Sequence, residues 1–517
     1  MKNLTSFAKK ILKTMEPDES KWSYWMDDQE LYPVSHTSAM DDFVNRMNIA
    51  RKNQEKVFIG GDYDCDGICA TTIMHSGLKA FGIQCGYYIP DRIREGYGLN
   101  EDMVQAAFQK GYTTIITVDN GVKAVNALNY AKELGMQTIV TDHHKIEADV
   151  PCDLLVHPDV LETHFHPLCG AGIAYECIRA LQADAPLHLM LAAVASIGDV
   201  MPVIGETRAL IQQGVRMINE TQEPHIFALA SDKKLNETSI AFQVVPKINA
   251  VGRLSNLGNV NNVVRYFLTD DRQTIRRFAM QVDDINKTRR RLSEQMCKFS
   301  EQKCSPGDPV ILINDPSFHE GIIGLVANSL CAKYEKPAII MTQNQEGLKA
   351  SMRSPSGFDC MDFLNGFDGY EAIGGHKHAA GFSTLLKDYD AFRRFVRAKS
   401  FRYEWQPEPL QAISIQPEEC TIANVRSLDV LRPFGPGFEC PLFEIDEPQI
   451  QSIYDIQNGK HRRYTLENGL ECMNFNMPEK DKVTSLNRIK SLIGQAQIGQ
   501  YRGQDQMTFV IDSIIYH

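Results

Sequence analysis

The sequence predicts an α/β protein with a parallel-sheet domain, a long connecting helix, a second and smaller α/β domain, and a C-terminal antiparallel β barrel. Three observations carry this reading. Short apolar runs at 56–60 (KVFIG), 113–118 (TTIITV) and 137–141 (QTIVT) each lead into an acidic loop and are separated by helical patterns, the grammar of βαβ units on a parallel sheet. Apolar residues at Ile275, Phe278, Val282, Ile285, Leu292 and Met296 keep helical spacing across 270–300. From about Tyr403 onward, short alternating runs are separated by Asn458-Gly459 and Asn468-Gly469, the strongest short hairpin signals.

Taken in order, the first block runs strand, loop, helix, with an apolar-periodic stretch from Ile68 to Phe81 after the first strand. The long helix carries Arg276, Arg277, Lys287, Arg289, Arg290 and Arg291 on its other face and stops before Ser305-Pro306-Gly307, which places it between two domains. A second α/β block follows, with a strand at 309–314 and a helix at 321–334. The expected boundaries are 1–215 for a catalytic domain, 216–304 for a helical connector, 305–402 for the smaller α/β domain and 403–517 for the β domain. No internal repeat is present.

At 517 residues the chain exceeds a single core. Its 43% apolar and 23% charged residues are ordinary globular values, which exclude wholesale disorder and fibrous repeats. The N-terminus alternates lysines with apolar residues, and no stretch reaches the ~18 apolar residues of a membrane span, so a cytoplasmic protein is expected. The 13 cysteines are odd in number and lack paired C-x-x-C spacing, which signals free thiols rather than a disulfide framework or a structural zinc site. A net charge of -11 argues against non-specific coating of nucleic acid but leaves room for a local basic groove.

The chemistry concentrates in Gly61-Asp62-Tyr63-Asp64-Cys65-Asp66-Gly67, where three carboxylates follow a strand. Like charges this close raise one another's pKa unless a cation neutralises them, so metal binding is the physical reason to crowd them. An acidic surface turn or a calcium loop has the same look, although the later glutamate of a calcium loop is missing. Two further strands end in ligand types, Asp119 in one, Asp142, His143 and His144 in the other. Ligands bind outside the carboxyl ends of parallel strands, so these ends converge on one crevice. Asp199, after an apolar helical run from Leu189, can complete the set. Carboxylate oxygens and imidazole nitrogens without thiolate suit Mn2+ or Mg2+. Two such ions sharing an aspartate would activate water for phosphoryl displacement. The expected metal ligands are Asp62, Asp64, Asp66, Asp119, Asp142, His143 and Asp199, with His144 added to the catalytic set. Which histidine ligates stays open.

Asp64-Cys65-Asp66-Gly67, Val118-Asp119-Asn120-Gly121, Thr141-Asp142-His143-His144 and Gly198-Asp199-Val200-Met201-Pro202, in this order, resemble the motifs of the DHH phosphoesterase superfamily, and most of all its RecJ-like single-strand-specific exonucleases. Leu168-Cys169-Gly170-Ala171-Gly172, residues 246–254 (PKINAVGRL), 319–324 (HEGIIG) and 350–354 (ASMRS), Gly374-Gly375-His376 and Pro433-Phe434-Gly435-Pro436-Gly437 continue the series from about residue 55 to the end. The resemblance implies a DHH domain, a connecting helix, a DHHA1 domain facing it across a cleft, and an oligonucleotide-binding (OB) barrel. It further implies that Arg253, Arg353 and the Gly374-Gly375-His376 loop hold a nucleotide and its terminal phosphate, with Asn249 and Ser354 in the same motifs. A pocket for a 5′-phosphate beside two metal ions would enforce 5′ to 3′ cutting of single-stranded DNA, in repair or recombination.

Read from the residues, Gly374-Gly375-His376-Lys377-His378 is a glycine-rich turn whose amides can approach a phosphate, or simply a tight turn. Lys460 to Tyr464 offers Arg462 and Tyr464 to a single strand, or is a solvated charged strand. Where some relatives place a histidine before the first aspartates, this chain has Ile59-Gly60, and no domain beyond the barrel is visible. A monomer is expected, and helicase or single-strand-binding partners stay open. The alternatives are a phosphodiesterase of oligonucleotides or cyclic dinucleotides, and a catalytically silent DNA-binding scaffold.

Overall fold

A computed structural model of the chain describes residues 4–305, 307–344, 347–483, 488–501 and 504–517. It divides into two compact units, one made of Tyr24–Arg289 with Leu431–Glu439, the other of Met1–Ser23, Arg290–Val430 and Cys440–His517. The division is discontinuous, where the sequence reading laid four consecutive segments.

In the first unit, β1 (Lys56–Gly60), β2 (Gln84–Tyr88), β3 (Thr114–Val118), β4 (Gln137–Thr141) and β5 (Leu154–Val156) form a wholly parallel sheet in the order β2-β1-β3-β4-β5. Successive residues of each strand enter different cores. Val57, Ile59, Ile116, Val118 and Ile139 pack into one, Phe58, Ile115 and Val140 into the other. Burial on both faces explains why these strands read as continuous apolar runs. Register aligns Gly60 with Thr117 and Val118 with Thr141, so the carboxyl ends of β1, β3 and β4 finish on one edge. The helices Cys65–Phe81, Gly170–Ala180 and Pro186–Gly198 pack together over the sheet.

The segment Leu431–Glu439 is clamped to this unit by the fully buried Arg208. Its guanidinium donates to the carbonyls of Pro433 (3.0 Å), Leu431 (3.0 Å) and Trp25 (2.8 Å). Trp25 and Phe438 stack at 4.0 Å, and the guanidinium lies 5.0 and 5.3 Å from their ring centroids. Burial brings the Arg208 pKa down to about 10, which leaves it cationic at neutral pH.

In the second unit, β6 (Ile311–Asn314), β7 (Ala338–Gln343), β8 (Leu348–Arg353), β9 (Tyr370–His376) and β10 (Ala379–Thr384) form a sheet in the order β6-β7-β8-β10-β9, parallel only between β6 and β7. Phe358, Phe363, Phe382 and Phe392 fill its core. A seven-stranded sheet follows, built from β11 (Ala412–Ser414), β12 (Leu442–Asp446), β13 (Ile450–Ile456), β14 (His461–Leu466), β15 (Glu471–Asn474), β16 (Ile489–Tyr501) and β17 (Gln504–Tyr516). It is antiparallel except where β11 meets β12 and β15 meets β17. Met1–Ser23 joins this unit through Phe7, whose ring lies 6.1 Å from that of Phe443, and through a Lys10–Glu419 ion pair of 2.9 Å. The connecting helix spans Arg272–Lys303, and the boundary between the units falls within it. No described helix is long and apolar enough to cross a membrane, and all 13 cysteines are free.

Candidate metal centre

The acidic cluster is assembled by the starts of helices and the ends of strands. Asp64 caps the helix Cys65–Phe81, accepting the N–H groups of Asp66 (2.9 Å) and Gly67 (3.1 Å). The Asp66 carboxylate turns to a second helix start and accepts the N–H groups of Gly170 and Ala171, both at 2.7 Å. Donors at a helix N-terminus suit an anion and fix both of its oxygens in direction. Asp119 follows β3 in the left-handed region (φ 59°). A Cβ at Gly170 would stand 2.4 Å from Asp119 Cβ, so only glycine lets the helix Gly170–Ala180 approach this closely. Asn120, fully buried, donates to the carbonyls of Gly60 (3.0 Å) and Val118 (2.8 Å) and accepts from Leu99 N–H (3.0 Å), which ties the ends of β1 and β3 together.

Asp66, Asp119, Asp199 and His143 meet. His143 Nε2 lies 3.2 Å from Asp119 Oδ1 and 3.6 Å from both Asp66 Oδ2 and Asp199 Oδ2. Among the described residues, three groups present ligand atoms within 4.8 Å of one another, namely Asp119 with His143 and His144, Asp66 with His143 and Asp199, and Asp62 with Asp64 and Asp119. Asp142 stands outside all three. Its Oδ1 accepts the backbone N–H groups of His143 (2.8 Å) and His144 (3.1 Å) and faces His144 Nδ1 at 2.8 Å, while Oδ2 accepts Val122 N–H (3.0 Å). Here Asp142 orients the two histidines.

Burial, and then the neighbouring carboxylates, hold the pKa values of Asp62, Asp64 and Asp119 above the ordinary carboxylate range and push that of Asp199 up to about 8. Burial lowers the pKa of His143, leaving a neutral imidazole with a lone pair to offer. For His144 burial also acts downward, but the Asp142 hydrogen bond and nearby carboxylates outweigh it and raise the value. Asp62 Oδ1 is buried with no hydrogen-bond partner, and Asp119 Oδ1 accepts no hydrogen bond although it faces His143. Buried anionic oxygens without donors are costly unless a cation meets them. Oxygen and imidazole donors without thiolate fit a hard divalent ion.

The remaining predicted residues separate into several situations. Asn249, expected at substrate, uses its Oδ1 to accept Cys65 N–H at 2.7 Å, so it steadies the aspartate loop. Arg253 ends the helix Val245–Arg253, close enough for its charge to act on Tyr63. In the second unit, Arg353 Nη1 donates to Ser351 Oγ (3.0 Å) and Met352 O (2.8 Å), and Ser354 Oγ donates to Phe358 O (3.1 Å).

Two expectations are corrected. Gly374, Gly375 and His376 are not a turn but the end of β9, paired with β10, and the turn is Lys377-His378. Gly375 has φ 152°, and a Cβ there would meet Ala379 O at 2.3 Å, so the glycine serves close strand packing. Tyr464, expected on the sheet surface, is 1% exposed and cannot stack on a base, because its parity on β14 points it inward. Arg462 Nε is paired with Asp455 at 2.6 Å.

Sequence reasoning missed Asn120 and Gly170 as individual supports, although both lie in motifs that it singled out. It also missed Tyr97, which donates to Asp119 O at 3.1 Å.

Family models match the chain in three blocks: the DHH family N-terminal domain over residues 56–198, the DHHA1 domain over 307–399 and the RecJ OB domain over 412–513. The single-stranded-DNA-specific exonuclease RecJ of Bacillus subtilis is 29% identical over 515 residues, covering 94% of this chain and 64% of that protein. RecJ of Thermus thermophilus is 30% identical over 430 residues, covering 81% and 63%. The chain thus spans just under two thirds of the length of these two relatives. RecJ of Haemophilus influenzae is 26% identical over 555 residues, covering 98% and 94%. Among solved structures, exonuclease RecJ bound to manganese superposes with a TM-score of 0.63 at 29% identity, over 72% of this chain and 97% of that one. RecJ in complex with Mn2+ from Thermus thermophilus reaches 0.83 at 24% identity, over 99% and 76%.

Proposed function

The chain belongs to the DHH phosphoesterase superfamily, with the DHH, DHHA1 and RecJ OB domains in one polypeptide, and from that premise we propose that it is a metal-dependent 5′ to 3′ exonuclease of single-stranded DNA. The observation that carries this reading is the meeting of Asp66, Asp119, Asp199 and His143 at one point. The similar proteins of Bacillus subtilis and Thermus thermophilus are named for single-stranded-DNA-specific exonuclease activity.

Asp62, Asp64, Asp66, Asp119, His143 and Asp199 are the residues that would hold divalent cations, and Mn2+ or Mg2+ matches their donor set. Held there, they would supply Lewis acidity toward a water molecule and the phosphate oxygens. The chain supplies direction. Helix-start amides aim Asp66, the Asn120 clip sets the strand ends bearing Asp119, and the Asp142 carboxylate fixes the tautomer of His144 by taking its Nδ1 proton in a hydrogen bond. His144, grouped with Asp119 and His143, is then a residue that can contact phosphate or pass a proton to the departing oxygen. Arg253 offers a fixed positive charge beside the aspartate loop, which suits a terminal phosphate and supports polarity from the 5′ end. A cytoplasmic role in DNA repair or recombination follows from the same proposal.

The test is product analysis on a 5′-phosphorylated, end-labelled strand with Mn2+, in single- and double-stranded form. Mononucleotides released in order from the 5′ end of the single strand are expected. Release from the 3′ end would overturn the polarity, and intact substrate would overturn the activity. A rate on a dinucleotide exceeding that on a long strand would transfer the assignment to an oligonucleotide phosphodiesterase.

A further inference from the structure

We propose that His157 is a positioning residue for His144, holding the carbonyl of that histidine and through it the direction of its ring at the metal centre. The inference rests on the nuclease reading for the chemistry that His144 performs, and every residue in it belongs to the first unit.

His157 directly follows β5 as Asp142 directly follows β4, and register sets Thr141 beside Val156. Adjacent parallel strands thus deliver an acceptor and a donor to the same edge of the sheet. His157 is 3% exposed. Its Nδ1 faces the N–H of Asp159 at 3.1 Å, and its Nε2 lies 3.0 Å from the carbonyl oxygen of His144. A backbone amide can only donate, so Nδ1 accepts, the ring proton sits on Nε2, and that N–H is given to His144 O. The exposed Asp159 carboxylate, 3.5 Å from Nδ1, stands beyond ordinary hydrogen-bond length and does not displace the amide.

A buried histidine with both nitrogens engaged is ordinary core chemistry. His188 and His225 are of that kind, partnered by Ser76 and Ala185 and by Glu223 and Thr269. His157 differs in what it grips. Among the described residues, no backbone–backbone hydrogen bond engages 143–149, so the chain leaving β4 is fastened at His144 from two sides. Asp142 Oδ1 accepts the His144 N–H at 3.1 Å and faces its Nδ1 at 2.8 Å, while His157 holds the carbonyl. The His144 side chain is 40% exposed, so packing constrains it less than it does the buried aspartates. Releasing the carbonyl leaves the residue free to pivot about its Asp142 bonds, and a misplacement of about 1 Å in a reacting group can cost on the order of 100-fold in rate.

The experiment compares the full chain with His157→Phe, which keeps a flat ring but no donor, and with His157→Gln, whose amide can donate at similar reach. With a 5′-phosphorylated single strand and Mn2+, His157→Phe should lower kcat by about 10- to 100-fold, with KM and the Mn2+ affinity in calorimetry within about twofold of the parent. His157→Gln should recover most of that loss. In the metal-free chain labelled with 15N-histidine, the His144 ring signals, assigned by their disappearance in His144→Gln, should shift or broaden in His157→Phe and return in His157→Gln. If His157→Phe does not fold, His157→Leu, also without a donor, takes its place. A kcat within twofold of the parent in the donorless variant would overturn the proposal, as would unmoved His144 signals. Equal losses of kcat, Mn2+ affinity and thermal midpoint in the donorless and Gln variants would also overturn it, by showing a purely structural role. If the parent fails to cleave but the His144 signals move and recover as stated, the positioning stands and the nuclease reading falls.

Discussion

Asp119 and Asp142 are both buried aspartates at strand ends, yet their surroundings assign them different work. Asp119 Oδ1 accepts no hydrogen bond and lies in two of the three ligand groups, whereas Asp142 receives N–H groups on both oxygens. Asp119→Asn should therefore abolish heat of Mn2+ binding in calorimetry. Asp142→Asn should keep Mn2+ binding measurable and lower kcat by about 10- to 100-fold, the usual cost of losing a group that orients a ligand. Equal loss of binding in both would place Asp142 among the ligands. A second residue-scale prediction concerns His188, buried away from this cluster. Its Nδ1 accepts Ala185 N–H at 3.1 Å, and its Nε2 lies 2.8 Å from Ser76 Oγ, which itself donates to Thr72 O. Protonation would set a proton against the Ala185 N–H, and burial lowers the His188 pKa to about 4. The unfolded chain, near 6.5, takes up the proton first, so this residue's contribution to stability is complete above pH 6.5 and is lost as the pH falls toward 4. The loss is on the order of 3 kcal/mol at the acid end. Urea denaturation at pH 7.5 and pH 5 should show a smaller drop for His188→Gln than for the parent, and an equal drop would refute the assignment.

At the scale of elements, the centre depends on how closely the helix Gly170–Ala180 approaches the end of β3. Gly170→Ala would place a methyl group 2.4 Å from Asp119 Cβ. Either the helix start retreats, taking with it the two amides that hold Asp66, or Asp119 moves. Both outcomes should weaken Mn2+ binding by tenfold or more, with far-UV circular dichroism unchanged; full Mn2+ affinity would mean the contact relaxes without cost. This geometry was partly readable in advance. Parallel strands end on one edge, so apolar runs that stop at Asp119 and Asp142 already imply convergence. The hairpin signals held for the same local reason, since Asn458 (φ 55°) and Gly459 (φ 79°) adopt left-handed backbone. What local chemistry does not encode is parity and pairing. The basic residues flanking Tyr464 predict it outside, but a one-residue change of register exchanges the faces of a strand, and register is set by partners far along the chain. Gly374-Gly375 carries turn composition, yet Gly375 answers to the backbone of β10 across the ladder. Asn249 lies 184 positions from the N–H it caps, so no spacing rule reveals it.

For the whole molecule, the discontinuous division makes stability in the first unit depend on a segment that arrives late in the chain. Leu431–Glu439 returns to Tyr24–Arg289 after 290–430 has built part of the second unit. Arg208 is its main polar anchor, reaching the carbonyls of Leu431 and Pro433 together with that of Trp25, while Arg432 pairs with Glu237 and Phe434 N–H donates to Glu237 Oε1 at 3.2 Å. A planar donor set satisfies three carbonyls at once, which an ammonium on a flexible stem does not reproduce in the same space. Arg208→Met fills much of the volume but leaves those carbonyls without their donor, a cost of about 1–3 kcal/mol for each buried group left unsatisfied. Hydrogen exchange should then rise selectively across 431–439 and around Trp25, and chemical denaturation should show the first unit losing stability before the second. Arg208→Lys should recover only part of the loss. Unchanged protection of 431–439 in Arg208→Met would mean that the aromatic stack of Trp25 on Phe438 suffices to hold the segment, and that the buried cation is dispensable to the fold.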